Sequence, residues 1–350
     1  MRIGLVGVGR IGAFHASTLA RLEQVEQVVV TDAFPDAAER LAAEAGYEFA
    51  ADLDSLLDRV DGLVITTSTD AHASTLRRGV AAGLPTFCEK PVARTLEETV
   101  QLVDLVEQSD VRVHVGFQRR FDAGYRRARE AVRAGELGFV HTIRANTHDQ
   151  SPPPAAYIPT SGGLFRDCGI HDFDIIRFVT GREVATVFGT GANKGADFFA
   201  EGGDVDTAAA LLTLDDDTLV SVTATRYNGG GHDVRLEVMG SAGTIGVGYD
   251  DSLALRSAES GVDYPKGPQK WSYMERFLPA YRAELAAFTE VVAGAPSPCT
   301  ARDALAAFRV AEACERSRLK GQLVDLAEVG GGDTTPRNRS LRSRFPEDPA

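Results

Sequence analysis

Ile3-Gly4-Leu5-Val6-Gly7-Val8-Gly9-Arg10-Ile11-Gly12 is a short β-branched run ending in a G-x-G-x-x-G turn, and Asp32 stands 20 residues beyond Gly12. Such glycine loops are common, so context decides the meaning. This one follows a strand, opens a segment with helical spacing, and precedes an acidic residue at the end of the next strand. Gly7 permits the tight turn, Gly9 lets backbone approach a pyrophosphate, and Gly12 lets helix and strand pack closely. The helix N-terminus then offers free N–H groups and a positive dipole end. Gly7, Gly9, Arg10, Ile11 and Gly12 are therefore expected at a dinucleotide. Asp32 chooses which one. Its carboxylate can accept both ribose hydroxyls of NAD, whereas a 2′-phosphate would set roughly −1.5 to −2 of charge beside it. Ala33 and Phe34 bring no arginine to offset that repulsion, so NAD is expected in preference to NADP.

Outward from this loop, β-branched runs at 3–6, 25–31, 62–67, 86–88 and 111–115 alternate with helix-spaced segments, the pattern of a doubly wound parallel α/β domain over 1–120. In 96–106, Leu96, Val100, Val103 and Val106 recur three or four apart while Glu97, Glu98 and Asp104 take the other side. After 120 the texture changes. A helix at 123–133, a strand at 139–147, a Pro-rich loop at 151–159 and a helix at 166–179 lead to strands at 184–190, 207–214, 218–227, 234–239 and 244–247. Asp215-Asp216-Asp217 supplies one hairpin turn. Neighbouring strands without intervening helices predict a large open, mostly antiparallel sheet, so 121–327 reads as an α+β domain. Helices at 281–292 and from the capping-box-like Thr300-Ala301-Arg302-Asp303 to about 319 close it. Residues 328–350 hold almost nothing apolar to bury and are expected to be a disordered tail.

The chain's 350 residues suit two domains at roughly 100–200 residues each. A formal charge of −13 opposes a broad nucleic-acid or anionic-membrane surface. Cys88, Cys168, Cys299 and Cys314 lie far apart, against a zinc module or disulfide framework, and imply reduced thiols in a cytoplasmic protein. Met1 runs directly into a strand with no apolar leader, and no stretch approaches the roughly 20 apolar residues of a membrane span. The seven histidines show no clustered ligand spacing, so no metal is expected.

Two further segments carry chemistry. Cys88-Glu89-Lys90-Pro91 ends a strand, and Lys90 is one of only five lysines beside 32 arginines. Where arginine is the default cation, an ammonium placed at a strand end points to its particular use: donating to a hydroxyl and shifting its pKa when buried. In Gly162-Gly163-Leu164-Phe165-Arg166-Asp167-Cys168-Gly169-Ile170-His171-Asp172-Phe173-Asp174, helical spacing puts Asp167, His171 and Asp174 on one polar stripe of an otherwise apolar helix. A His–Asp pair lining a cavity suits proton transfer. Thr67, Ser68, His72, Glu89 and Lys90 are expected to frame the coenzyme. Arg119, His148, Asp149 and His232 are further pocket candidates, each near a strand or loop end.

Taken together, Gly7-x-Gly9-x-x-Gly12 with His15, Glu89-Lys90-Pro91, and Gly162-Gly163-x-x-x-Asp167-x-x-x-His171 resemble the glucose–fructose oxidoreductase/inositol dehydrogenase family. The resemblance covers the chain to about residue 326, and Gly116-Phe117-Gln118-Arg119-Arg120-Phe121-Asp122 is similar to the corresponding segment of inositol 2-dehydrogenases. It implies a Rossmann domain, a second domain whose open sheet builds a homodimer or homotetramer, and Lys90, Asp167 and His171 as the catalytic trio. The implied reaction is NAD-dependent oxidation of a secondary hydroxyl of a cyclic polyol, myo-inositol or a related inositol or sugar, to a ketone by hydride transfer. His171 would take the proton, Lys90 would stabilise the alkoxide, and Asp167 would orient His171 or hold a neighbouring hydroxyl. A sugar oxidoreductase, an NAD-dependent glycosidase and a non-catalytic NAD- and sugar-binding regulator are the alternatives. Asn228-Gly229-Gly230-Gly231-His232 departs from the bulkier pocket residues expected there and leaves polyol specificity open.

Overall fold

The β-branched runs of the first domain become strands buried on both faces. In the computed structural model, which describes residues 1–330, β1 (Arg2–Val6), β2 (Gln27–Thr31), β3 (Glu48–Phe49), β4 (Gly62–Ile65), β5 (Thr86–Glu89) and β6 (Val113–Gly116) form a parallel sheet. Its order is β3-β2-β1-β4-β5-β6. Helices α1 (Arg10–Leu19), α2 (Pro35–Ala45), α3 (Leu53–Leu57), α4 (Thr69–Ala81) and α5 (Leu96–Glu107) connect the strands. The order reverses at β1, between β2 and β4, which opens a crevice at the carboxyl ends of the strands. The turns after β1, β4 and β5 all lie at that edge.

α6 (Ala123–Arg133) leads to a seven-stranded sheet made of β7 (Val140–His148), β8 (Val184–Ala192), β9 (Thr207–Leu214), β10 (Leu219–Thr225), β11 (Asp233–Gly240), β12 (Thr244–Val247) and β13 (Val324–Asp325). The order is β12-β11-β7-β10-β9-β8-β13, antiparallel throughout except for the β7–β10 pair. Alternate residues such as Ile143, Ala145, Val220 and Val222 are buried under helices, while Phe188, Leu211 and Leu219 look out from the other face. α7 (Ile170–Thr180) lies across the covered side, and the short α8 (Phe198–Glu201) precedes β9. Ile170, Phe173, Ile175, Ile176 and Val179 are buried, and Gly181 at φ 66° ends α7 in the left-handed conformation.

The closing helices α9 (Tyr273–Val292) and α10 (Ala301–Lys320) return to the first sheet. Leu285, Phe288 and Val291 share a core with Ile3, Leu5, Val28 and Val30; Ala304, Leu305 and Phe308 share another with Leu102, Val103, Val113 and Val115. The sheets part near residue 120, but the cores interleave. The structure corrects several expectations. α9 begins at Tyr273 rather than 281, capped by Ser272 and kinked at Phe277 two residues before Pro279. Residues 165–169 form a π-turn before α7 rather than its first helical turn. The edge strand β3 was not foreseen, being only two residues long. At the C-terminus, Val329 is buried at 3% exposure after a turn at Leu326–Glu328, so order persists to the last described residue. The rest of the expected tail, 331–350, lies outside the described residues.

Candidate active site

The glycine loop shows why each position is glycine. Gly7 sits at φ 96°, and a Cβ there would meet Thr67 N at 2.7 Å. At Gly12 a Cβ would lie 1.8 Å from Gly7 O. Around Gly9, by contrast, no atom lies within 4 Å of where a Cβ would stand. Packing does not require glycine there; the open space lies before the N-terminus of α1, whose cap carries no side-chain hydrogen bond. That arrangement fits a pyrophosphate. Asp32 is fixed beside it, Oδ2 accepting from Val8 N at 2.7 Å and Oδ1 from Phe34 N at 2.9 Å. Each oxygen retains a lone pair for a ribose hydroxyl.

Behind the loop, His72 is buried, with Nδ1 2.8 Å from Pro91 O and Nε2 3.1 Å from Thr67 O. It braces the β4 and β5 turns against each other. Ser68 caps α4 by position and Thr67 bonds to Ser68 O. Glu89 Oε1 lies 2.7 Å from Nε2 of the buried His15 on α1, tying the turn that carries Lys90 to the helix behind the glycine loop. Arg10 donates to Tyr273 Oη at 3.0 Å, linking the loop to α9.

Lys90 reaches into the second domain. Its Nζ donates to Asp167 O at 2.8 Å and to Asp167 Oδ1 at 3.4 Å. The π-turn carries this carboxylate toward other partners as well: Arg226 Nη2 donates at 2.6 Å and Tyr157 Oη at 3.1 Å. Burial alone would raise the Asp167 pKa, but Lys90 and Arg226 hold it below the ordinary carboxylate value. His171 stands one turn on, edge-on to Phe117 at 5.8 Å, with a buried Nδ1 that has no hydrogen-bond partner. Burial first, then the charges of Lys90 and Arg119, push its pKa well below 6.5. No hydrogen bond joins Asp167 to His171 among the described residues, so the carboxylate orients Lys90 rather than the imidazole.

The remaining candidates divide. Asp149 belongs to the cluster: it accepts from Arg226 Nη1 at 3.1 Å and faces His232 Nδ1 at 3.3 Å. Burial raises its pKa, yet these partners bring it down to about 2. His148 turns to the other side of the sheet, where Nε2 meets Thr223 Oγ1 at 3.0 Å, because successive residues of β7 alternate faces. Arg119 is 3% exposed and committed to Asp172 (2.7 Å) and Thr147 (2.8 Å), and its charge helps to lower the His171 pKa. Asp174 leaves the expected polar stripe for a buried bidentate pair with Arg120, at 2.5 and 2.8 Å.

Arg226 and Tyr157 were not singled out from the sequence. One is an arginine among 32, and the other sits in the Pro-rich loop with no periodicity to mark it. Two glycines of the run 229–231 also acquire a reason. A Cβ at Gly230 would lie 2.6 Å from Ala254 O, and Gly231, at φ 126°, would bring one within 2.9 Å of Lys270 O. His232 N bonds to Lys270 O at 2.8 Å. The backbone of another segment fills the volume that larger side chains would otherwise take.

The comparisons with known proteins follow the same division of the chain. Residues 1–117 match the model of an oxidoreductase family with an NAD-binding Rossmann fold, and residues 125–246 match the GFO/IDH/MocA C-terminal domain. A myo-inositol dehydrogenase of Streptomyces leeuwenhoekii is 40% identical over 332 residues, spanning 92% of this chain and 99% of its own. Inositol 2-dehydrogenase of Rhizobium meliloti is 34% identical, over 93% of this chain and 99% of its own. A solved myo-inositol dehydrogenase from Corynebacterium glutamicum superposes with a TM-score of 0.86 at 33% identity, covering 93% of this chain and 98% of that one. Scyllo-inositol dehydrogenase from Lactobacillus casei, solved with NAD(H) and scyllo-inositol, gives 0.84 at 29% identity, covering 93% and 99%. Matched in both halves and along nearly its whole length, the chain belongs to the GFO/IDH/MocA family of oxidoreductases with an NAD-binding Rossmann domain.

Proposed function

We propose that the protein oxidises a secondary hydroxyl of a cyclic polyol, myo-inositol or a related inositol or sugar, to a ketone with NAD as coenzyme. The observation that carries this reading is the meeting of Lys90, from the coenzyme-binding sheet, with Asp167 and His171 of the second domain at the crevice where the coenzyme loop ends. When bound, the nicotinamide supplies the hydride acceptor. His171, kept neutral by burial and by the neighbouring cations, takes the hydroxyl proton. Lys90 donates to the same oxygen and stabilises the charge that develops on it. Asp167, held ionised, keeps the Lys90 ammonium aimed, and Asp149 with His232 offers polar contacts for the ring's other hydroxyls. Asp32 favours NAD, with no arginine at Ala33 or Phe34 to receive a 2′-phosphate.

The test is a panel of inositol isomers and pyranoses with NAD or NADP, followed by absorbance of the reduced nicotinamide. Accumulation of one reduced NAD per polyol consumed is expected, which also separates a dehydrogenase from a glycosidase that returns its hydride each turnover. Absence of reduction with every cyclic polyol would sink the proposal; faster turnover with NADP would overturn the part assigned to Asp32.

A further inference from the structure

Arg226 follows β10 directly, and its side chain is only 4% exposed. Nη2 donates to Asp167 Oδ2 at 2.6 Å, and Nη1 donates to Asp149 Oδ2 at 3.1 Å and to Cys168 Sγ at 2.9 Å. Lys90 lies on the far side of Asp167, and His232 on the far side of Asp149. The row therefore runs ammonium, carboxylate, guanidinium, carboxylate, imidazole, with Arg226 at its centre. We propose that Arg226 is a positioning residue for the oxidation: by gripping Asp167 and Asp149 together it fixes Lys90 on one side and the His232 contact on the other. This deepens the polyol dehydrogenase reading and rests on it.

Two carboxylates crowded into one buried site cannot both stay ionised unless cations lie between and beside them. Asp167 is faced by Lys90 from the β5 turn, Arg226 from the end of β10 and the Tyr157 hydroxyl from the loop before the π-turn. Asp149 is faced by Arg226, His232 and the Cys168 thiol. His171 is surrounded by the charges of Lys90 and Arg119 and by His232. Among the described residues, Arg226 alone donates side-chain hydrogen bonds to both carboxylates. A guanidinium has a planar fork that can hold two acceptors at fixed angles, whereas an ammonium is a point charge on a flexible stem. Lys90 aimed by a rigid anion is the arrangement the reaction needs, because misplacing a reacting group by about 1 Å can cost roughly a hundredfold in rate.

The test measures kcat and KM for polyol oxidation against pH in the wild type, Arg226→Met, Arg226→Lys and Asp149→Asn, with NAD titration and thermal unfolding of each. Arg226→Met should lower kcat roughly tenfold to a hundredfold with NAD affinity unchanged. It should also move the acid limb of kcat to higher pH, because losing a positive charge favours protonation of Asp167. Arg226→Lys should restore the limb but only part of kcat, and Asp149→Asn should shift the limb to lower pH. A purely structural arginine would change the unfolding temperature and leave every limb in place. If Arg226→Met does not fold, the Lys and Asn variants decide. Wild-type kcat and an unmoved limb in Arg226→Lys and Asp149→Asn, or limbs moving the same way in Arg226→Met and Asp149→Asn, would overturn the assignment. A wild type inactive on every polyol would instead remove the dehydrogenase reading.

Discussion

As the proposed base, His171 must be neutral to accept a proton, yet close enough to cations that the resulting alkoxide is stabilised. The same groups would meet both demands: burial, Lys90 and Arg119 depress the imidazole pKa, and in the proposed reaction Lys90 donates to the substrate oxygen. Lys90→Ala and His171→Ala should each lower kcat by about a hundredfold or more, with NAD binding in titration little changed. The pH consequence has a definite sign. Since the His171 pKa lies well below 6.5, the rate should hold as pH falls through 6.5, and Lys90→Met should shift the acid limb upward because a neighbouring positive charge is lost. An acid limb left unchanged in Lys90→Met would show that another group titrates there. These two residues were legible because lysine is scarce and because a histidine on an apolar helix has to be accounted for. Arg226 was not, since its importance comes entirely from tertiary partners that lie 59 and 77 positions away in sequence.

Among the elements, the glycine loop separates folding from binding. An alanine at Gly12 would drive its methyl into Gly7 O, so Gly12→Ala should lose the folded loop and much of the protein's stability. At Gly9 the backbone is at φ −63° and the space is open, so Gly9→Ala should unfold within about 0.5 kcal/mol of the wild type. The same methyl stands where the pyrophosphate would approach, and NAD affinity should fall. Thermal melts and NAD titrations of both variants check the pair; equal NAD affinity in Gly9→Ala would remove that glycine from the binding site. The π-turn at 165–169 is the opposite case. Spacing of four places Asp167 and His171 on one helical face, but the wide turn splits their duties, and sequence periodicity carries no mark of such a turn.

Across the whole molecule, α9 and α10 weave the two domains into shared cores. At this junction Glu284 of α9 is fully buried, with neither carboxyl oxygen hydrogen-bonded to a described residue, and His114 Nε2 is 3.9 Å away. Burial pushes the Glu284 pKa well above 4.5 and that of His114 down to about 3, so both are neutral in the folded protein. A raised folded pKa means that stability is fully present below the unfolded value, near about 4.3, and is lost as pH rises toward the folded one. Glu284→Gln should therefore match the wild type in denaturant unfolding near about pH 4 and exceed it increasingly toward about pH 8. Parallel pH profiles would mean that the carboxyl ionises in place. The open sheet face, with Phe188, Leu211 and Leu219 outward, is proposed as the seat of a homodimer or homotetramer; light scattering should show Leu211→Glu with Leu219→Glu to be smaller than the wild type. The alternation of strands and helices made the first sheet legible. The interleaving of the cores was not, because it depends on helices 150 or more residues downstream choosing that sheet as their partner.

Arg120 sets a dimension for all of this. Its guanidinium forks onto Asp174 of α7, reaches Asp303 of α10 at 3.1 Å and donates to Pro298 O at 3.3 Å. The helix bearing His171 is thereby clamped to the chain leaving the last strand of the coenzyme sheet. In the proposed reaction this clamp would serve as a jig: tying α7 to the chain after β6 and to α10, it would set the distance of His171 from the coenzyme crevice when the chain folds.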